Sequence, residues 1–272
     1  MEKHEIYFNK NKFYYWVLNP RSEKTILLIH GFRGNHKGLV PLAEKLKNYK
    51  IIIPDLPGYG KSSCLKHKHT LLNYAKFLKN LVNAENLKKF DFVGHSYGAS
   101  VSIVYASLYK KDIDKLILIT PTAESETFLA KVGLMYYKTA MILPNILKHY
   151  WLESWLFNTL SGEVLLKTPN YRKRFEIVRK LNKNIKEFKD SVIIENYLSY
   201  FNTPVYSLAR NIRSKTLIIA GKEDNVSPVE TQMKFNHLID NSEVKLIEKA
   251  GHLVPIESPA KVARIIQDFL DK

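Results

Sequence analysis

The sequence predicts an α/β fold: a mostly parallel eight-stranded sheet flanked by helices, with an inserted helical cap. Three observations lead there. Short, nearly continuous apolar runs alternate with segments of helical period through most of the 272 residues, the pattern of strands buried on both faces and joined by crossover helices. The alternation breaks once, over 121–207, where amphipathic helical patterns follow one another without a convincing buried strand. A Gly-x-Ser-x-Gly pentapeptide, 94–98, stands where a strand passes into a helix.

Each element has its own justification. Runs 5–10 and 13–18, rich in aromatic and β-branched residues about Asn9-Lys10-Asn11-Lys12, predict an antiparallel hairpin. The apolar run 24–30, ending before Gly31, and the run 50–54 read as buried strands, with helical spacing over 39–46 between them. Leu71, Leu72, Ala75, Leu78 and Val82 share one side of a helix over 71–82, which leads to a strand over 88–93. The next helix, 96–109, carries small residues at Gly98, Ala99 and Ser102 that let it lie close to the sheet. Strands over 114–120, 214–220 and 243–247, with helices over 228–238 and 259–270, complete a core of 1–120 and 208–272. The cap, 121–207, follows the strand ending at Thr120 and would lie over the carboxyl ends of the strands, where open α/β sheets place their sites.

Composition limits the compartment and the partners. Hydrophobic residues make up 45% of the chain, enough for one large α/β domain or for a domain carrying an insertion. Cys64 is the single cysteine, so an intramolecular disulfide is impossible and a reducing compartment fits; Cys64 itself reads as an incidental thiol. The charged N-terminus lacks the apolar core and cleavage site of a signal peptide, which makes a cytoplasmic protein the expectation. The most membrane-like stretch, 139–157, is interrupted by Pro144, Lys148, His149 and Glu153 and reads as an amphipathic lid, with no transmembrane segment. A net charge of +16 suits an acidic partner such as nucleic acid, an anionic membrane or an acidic carrier protein. That excess is spread along the chain, which favours a lysine-rich proteome over a functional patch, and no nucleic acid is expected.

Ser96 is the candidate nucleophile, since the flanking glycines remove side chains that would obstruct a tight turn and leave its hydroxyl exposed at a strand end. A serine hydroxyl needs an adjacent base, itself oriented by a third group. Asp224 lies just past a strand and before a helix start marked by Ser227-Pro228, and His252 lies in the loop after the last strand. They are the candidate orienting acid and base. Backbone N–H groups of Tyr97, next to the nucleophile, and Phe32, in the loop after the third strand, are candidate oxyanion donors. His30, at a strand end before glycine, reads as a hydrogen-bonded structural residue.

With HGF at 30–32, DLPGYGKS at 55–62, GHSYG at 94–98, GKEDNVSP at 221–228 and GHLVPIESP at 251–259, the chain resembles the lidded α/β-hydrolases over nearly its whole length. That group holds carboxylesterases, monoacylglycerol lipases and carbon–carbon bond hydrolases. Serine at position 96 sets it apart from the similar haloalkane dehalogenases and epoxide hydrolases, which carry aspartate there. A single glycine before Phe32 sets it apart from esterases with an HGGG stretch. The resemblance implies a metal-free, cofactor-free serine hydrolase acting on a small apolar ester. The same three residues would also serve a carbon–carbon bond hydrolase or an acyl thioesterase, and a non-enzymatic ligand receptor would keep the pocket.

The cap's apolar residues exceed what a solvent-facing insertion needs, and Met135, Trp151 and Trp155 are candidate substrate contacts in the roof of an acyl pocket. Other motifs read as plain structure. His67-x-His69 lacks carboxylate or cysteine partners for a metal and reads as a solvent-exposed loop. Gly58-Tyr59-Gly60-Lys61-Ser62 lacks Walker spacing and reads as a loop below the site. Arg172-Lys173-Arg174 reads as a solvated helix face.

Overall fold

The computed structural model describes residues 1–123, 128–152, 165–167, 176 and 189–272, without the side chains of Phe128 and Leu129. Among the described residues one sheet is built from β1 (Glu2–Phe8), β2 (Asn11–Leu18), β3 (Thr25–Ile29), β4 (Lys50–Pro54), β5 (Phe90–His95), β6 (Ile113–Ile119), β7 (Lys215–Gly221) and β8 (Ser242–Ile247). Their order is β1-β2-β4-β3-β5-β6-β7-β8. β1 pairs with β2 and β2 with β4 antiparallel, and every other pair is parallel.

Alternation along the strands divides the core in two. Ile26 and Leu28 of β3 pack with Ile51, Ile53 and Ile117 against α1 (Val40–Ala43) and the terminal helix Pro259–Leu270. Leu27 and Ile29 join Phe92 and Leu118 on the opposite side, under α2 (Leu71–Ala84) and α3 (Tyr97–Leu108). Phe92 is fully buried, and truncating it to alanine would cost about 3–5 kcal/mol.

The structure departs from the sequence reading in local places. The N-terminal strands meet in a two-residue turn, with Phe8 paired to Asn11 and the turn residues Asn9 and Lys10 at φ 50° and 65°. Both positive angles match a type I′ turn, whose twist suits a hairpin; the tight turn ends β1 at Phe8 and lets β2 begin at Asn11, ahead of the expected Phe13. The helix expected over 39–46 contracts to α1, because the chain beyond Ala43 tightens into 3₁₀-type bonds, Lys45 N to Leu42 O and Leu46 N to Ala43 O. β5 runs on through Gly94 and His95, so α3 starts at Tyr97.

Between β6 and β7 the described chain is helical: α4 (Phe128–Ile142), α5 (Asn145–Leu152), and further helices Asp190–Asn202 and Val205–Ala209. Among the described residues no helix is long and apolar enough to cross a membrane. Ser96, Thr120, Asp224 and His252 follow the carboxyl ends of β5, β6, β7 and β8, so parallel pairing gathers them at one end of the sheet.

Candidate active site

Ser96 sits at φ 54° and ψ −118°, a sparsely populated conformation that costs about 1–3 kcal/mol. Its surroundings enforce it. Ser96 N donates to Ile119 O at 2.9 Å, while Ser96 O already accepts from Ala99 N at 2.8 Å, so the chain leaves the sheet and enters α3 within one residue. A Cβ on Gly94 would meet Gly98 O at 2.6 Å and Ala99 Cα at 2.7 Å; one on Gly98 would meet His30 O at 2.5 Å. Only glycine fits either position.

Ser96 Oγ lies 2.7 Å from His252 Nε2, and His252 Nδ1 lies 2.8 Å from Asp224 Oδ2. With the carboxylate accepting at Nδ1, that nitrogen carries the proton and Nε2 accepts from the hydroxyl. Asp224 Oδ1 accepts from Val226 N at 2.8 Å and Ser227 N at 2.9 Å, which fixes the carboxylate's orientation. His252 and Asp224 are buried, whereas Ser96 is half-buried and reachable from outside.

Four further residues hold His252 in place, and sequence reasoning assigned none of them a role. His252 O accepts from His95 Nε2 at 3.1 Å and from Thr120 Oγ1 at 3.2 Å. Burial, with the neighbouring His252 adding to it, pushes His95 down to about 3, so it stays a neutral N–H donor. Thr120 holds φ 45°, strain for a β-branched residue. Glu257 accepts Gly251 N at 2.9 Å and Lys167 N at 2.8 Å through its two oxygens, and Leu165 O takes His252 N at 2.9 Å. These partners lie far apart in the chain, and only the Gly-His…Glu spacing within 251–257 carried any local signal.

The loop after β3 presses against the serine: a Cβ on Gly31 would lie 3.2 Å from Ser96 Cβ. His30 donates from Nδ1 to Gly31 O at 2.9 Å and accepts Leu56 N on Nε2 at 3.1 Å, so both ring nitrogens are committed to holding that loop. Among the described residues no acceptor takes the N–H of Phe32 or of Tyr97. The Phe32 ring meets Tyr97, Tyr137 and Tyr197 at centroid distances of 6.3, 5.9 and 5.7 Å. This aromatic cluster joins the core to the segment between β6 and β7, and Tyr197 was not singled out from the sequence.

Met135 is 67% exposed, and Trp151 stacks on Tyr136 with its Nε1 donating to Tyr136 O at 3.1 Å. Among the described residues neither makes a hydrogen bond or ring contact with the Ser96–His252–Asp224 chain. Trp155 and Arg172-Lys173-Arg174 lie outside the described residues. His69 departs from its expected exposure: it is buried, with Nδ1 2.9 Å from Tyr74 Oη and its N–H on Glu195 Oε2 at 2.8 Å, because the helix Asp190–Asn202 covers it. Lys61 N and Ser62 Oγ are spent on Asp55, at 3.0 Å to Oδ2 and 2.7 Å to the carbonyl, leaving the Walker-like loop no phosphate cradle. Cys64 packs half-buried against the core.

A family model described as the alpha/beta hydrolase fold matches residues 24–259, and the chain belongs to that family. It is 27% identical over 252 residues to Lipase 3 of Moraxella sp. (strain TA144), covering 90% of this chain and 77% of the lipase. It is 24% identical over 264 residues to the 2-hydroxy-6-oxo-2,4-heptadienoate hydrolase of Pseudomonas putida, covering 90% of this chain and 88% of that enzyme. Among solved structures, a thermophilic esterase from Thermogutta terrifontis superposes with a TM-score of 0.83 at 22% identity, over 100% of this chain and 98% of the esterase. The protein is an α/β-hydrolase with lipase and carbon–carbon hydrolase relatives.

Proposed function

We propose that the protein is a serine hydrolase that cleaves carboxylic esters through an acyl-enzyme. The observation that carries this is the unbroken chain from Ser96 Oγ through His252 to Asp224, at 2.7 and 2.8 Å. Ser96 Oγ attacks the ester carbonyl while His252 Nε2 takes its proton; the oxyanion is met by the N–H groups of Phe32 and Tyr97. Collapse breaks the carbon–oxygen bond to the alcohol, which leaves with the proton from His252. Water, deprotonated by His252, then frees the acid and restores Ser96. Side chains and backbone of this chain carry every step, and chelators are expected to leave the rate unchanged.

The segment 121–207 serves as the cap in this reading. Phe32, Tyr137 and Tyr197 form the apolar wall beside Ser96, with Met135, Trp151 and Trp155 as candidate acyl contacts farther out. The single cysteine suits a reducing, cytoplasmic setting. The relationship to the Pseudomonas putida hydrolase supports a second reading, carbon–carbon cleavage by the same residues; a thioester substrate is a third.

A fluorophosphonate probe is expected to label Ser96, with Ser96→Ala abolishing both labelling and turnover; labelling that persists in Ser96→Ala overturns the proposal. Asp224→Asn is expected to lower kcat by about 10⁴-fold through loss of the imidazole tautomer. p-Nitrophenyl esters of graded chain length, run beside a thioester and a dienol-ketone, separate the three substrate classes.

A further inference from the structure

We infer that the helical hairpin 128–152 is a docking surface for a lipid layer bearing anionic head groups. Large exposed apolar side chains concentrate there. Met141, Ile142, Ile146, Leu147 and Tyr150 are 52, 84, 73, 55 and 72% exposed, whereas elsewhere the described exposed apolar residues, such as Leu72, Leu108 and Met233, stand singly. Single exposed hydrophobics are ordinary; a set gathered about the turn between two helices marks an interaction surface. Pro144 breaks α4 from α5 and places Ile142 and Ile146 on either side of the turn.

Charge identifies the occupant. The hairpin contains no aspartate or glutamate from 128 to 152, while Lys131 and Lys138 are exposed and Lys148 is half-buried; His149 is turned to Asp190 Oδ1 of the neighbouring helix at 3.4 Å. An apolar tip flanked by Lys138 and Lys148, with Lys131 farther along the same helix and Tyr150 at its edge, matches the boundary between acyl chains and anionic head groups. The net charge of +16 adds long-range attraction of the same sign. The hairpin lies in the plane of such a layer and does not span it, since α4 is 15 residues long and α5 is 8. This inference is independent of the ester reading, because binding is measured without turnover.

The test is co-sedimentation of the full chain with sucrose-loaded vesicles of phosphatidylcholine alone or with 30% phosphatidylglycerol. Binding to the anionic vesicles is expected to exceed that to neutral ones by about tenfold or more and to weaken in 0.5 M salt. Ile142→Glu/Ile146→Glu and, separately, Lys131→Glu/Lys138→Glu are expected to lower it about tenfold or more, with circular dichroism and hydrolysis of a soluble short-chain ester unchanged. Binding by both double variants as tight as that of the unaltered protein, or no binding to either vesicle at millimolar lipid, overturns the proposal. Light scattering that shows concentration-dependent dimers abolished by Ile142→Glu/Ile146→Glu, with no vesicle binding, overturns it in favour of a second copy of the chain.

Discussion

The helix Asp190–Asn202 and the hairpin 128–152 both lie between β6 and β7, yet they are held to different degrees. The helix is tied down by buried polar bonds. Asn196 accepts Tyr97 Oη at 2.6 Å and donates to Tyr74 Oη at 3.0 Å, Glu195 receives His69 N, and Ser199 Oγ caps Leu71 N at the start of α2 at 2.9 Å. The hairpin rests on the Tyr137 ring against Tyr197 at 4.2 Å and on three long bonds of 3.4 Å, Arg33 Nη2 to Leu152 O, Tyr197 Oη to Ala130 O and His149 Nδ1 to Asp190 Oδ1, and leaves its far side in solvent. Directional bonds fix the position of one element, next to the residue that follows Ser96. Apolar contact is less directional and leaves the other element a free surface.

The largest expected effect breaks the polar anchor. Asn196→Leu leaves the buried Tyr97 hydroxyl without its acceptor and is expected to cost about 3 kcal/mol in urea unfolding. Because Tyr97 follows Ser96, the proposed nucleophile, the same change is expected to lower kcat with little change in KM. Tyr97→Phe should reproduce the kcat loss, and the double variant should add little to it. Full additivity would show that the two side chains act separately.

Acid should loosen the helix next. Burial lowers the pKa of His69 below its ordinary 6.5, so the native state excludes a proton that the unfolded chain takes. That contribution is complete above about pH 6.5 and declines as pH falls below it, by at most about 1.4 kcal/mol per pH unit for one histidine. His69→Gln should flatten part of the decline; His30 and His95, which burial shifts in the same direction, add to it, and Asp91, whose carboxyl burial pushes up to about 6, opposes it. An unchanged slope in urea midpoints between pH 7 and 5 would exclude His69.

Ser199→Ala, which removes the cap on Leu71 N, is expected to cost about 1 kcal/mol. On the hairpin, Ile142→Ser should change stability by no more than about 0.5 kcal/mol, because the side chain is 84% exposed. Equal costs at these two positions would erase the distinction between the helix and the hairpin.

Much of the core was legible in the sequence because its signals are local. Apolar runs such as 24–30 and 50–54 can be satisfied only as strands covered on both faces, and β3 and β4 fall within them. Pro259–Leu270 appears at the expected bounds, since a strongly one-sided apolar spacing admits little else. The turn at Asn9-Lys10 escaped because lysine at positive φ is uncommon, and α1 was overextended because 3₁₀ turns repeat nearly the same spacing.

The sequence by itself determined which residues are candidates for chemistry here. Gly94, Ser96 and Gly98 specify a turn that only small flanking residues permit, and the order serine, aspartate, histidine at successive loop positions named the three side chains that the structure brings within hydrogen-bond distance. Only the tertiary structure decided what holds them. His95 and Thr120 grip the His252 carbonyl from 157 and 132 residues away, Glu257 clasps Lys167 across 90, and Asn196 reaches Tyr97 across 99. A hydrogen bond depends on position in space and leaves no period or spacing along the chain, so these partners become visible only once the sheet has brought its loops to one end.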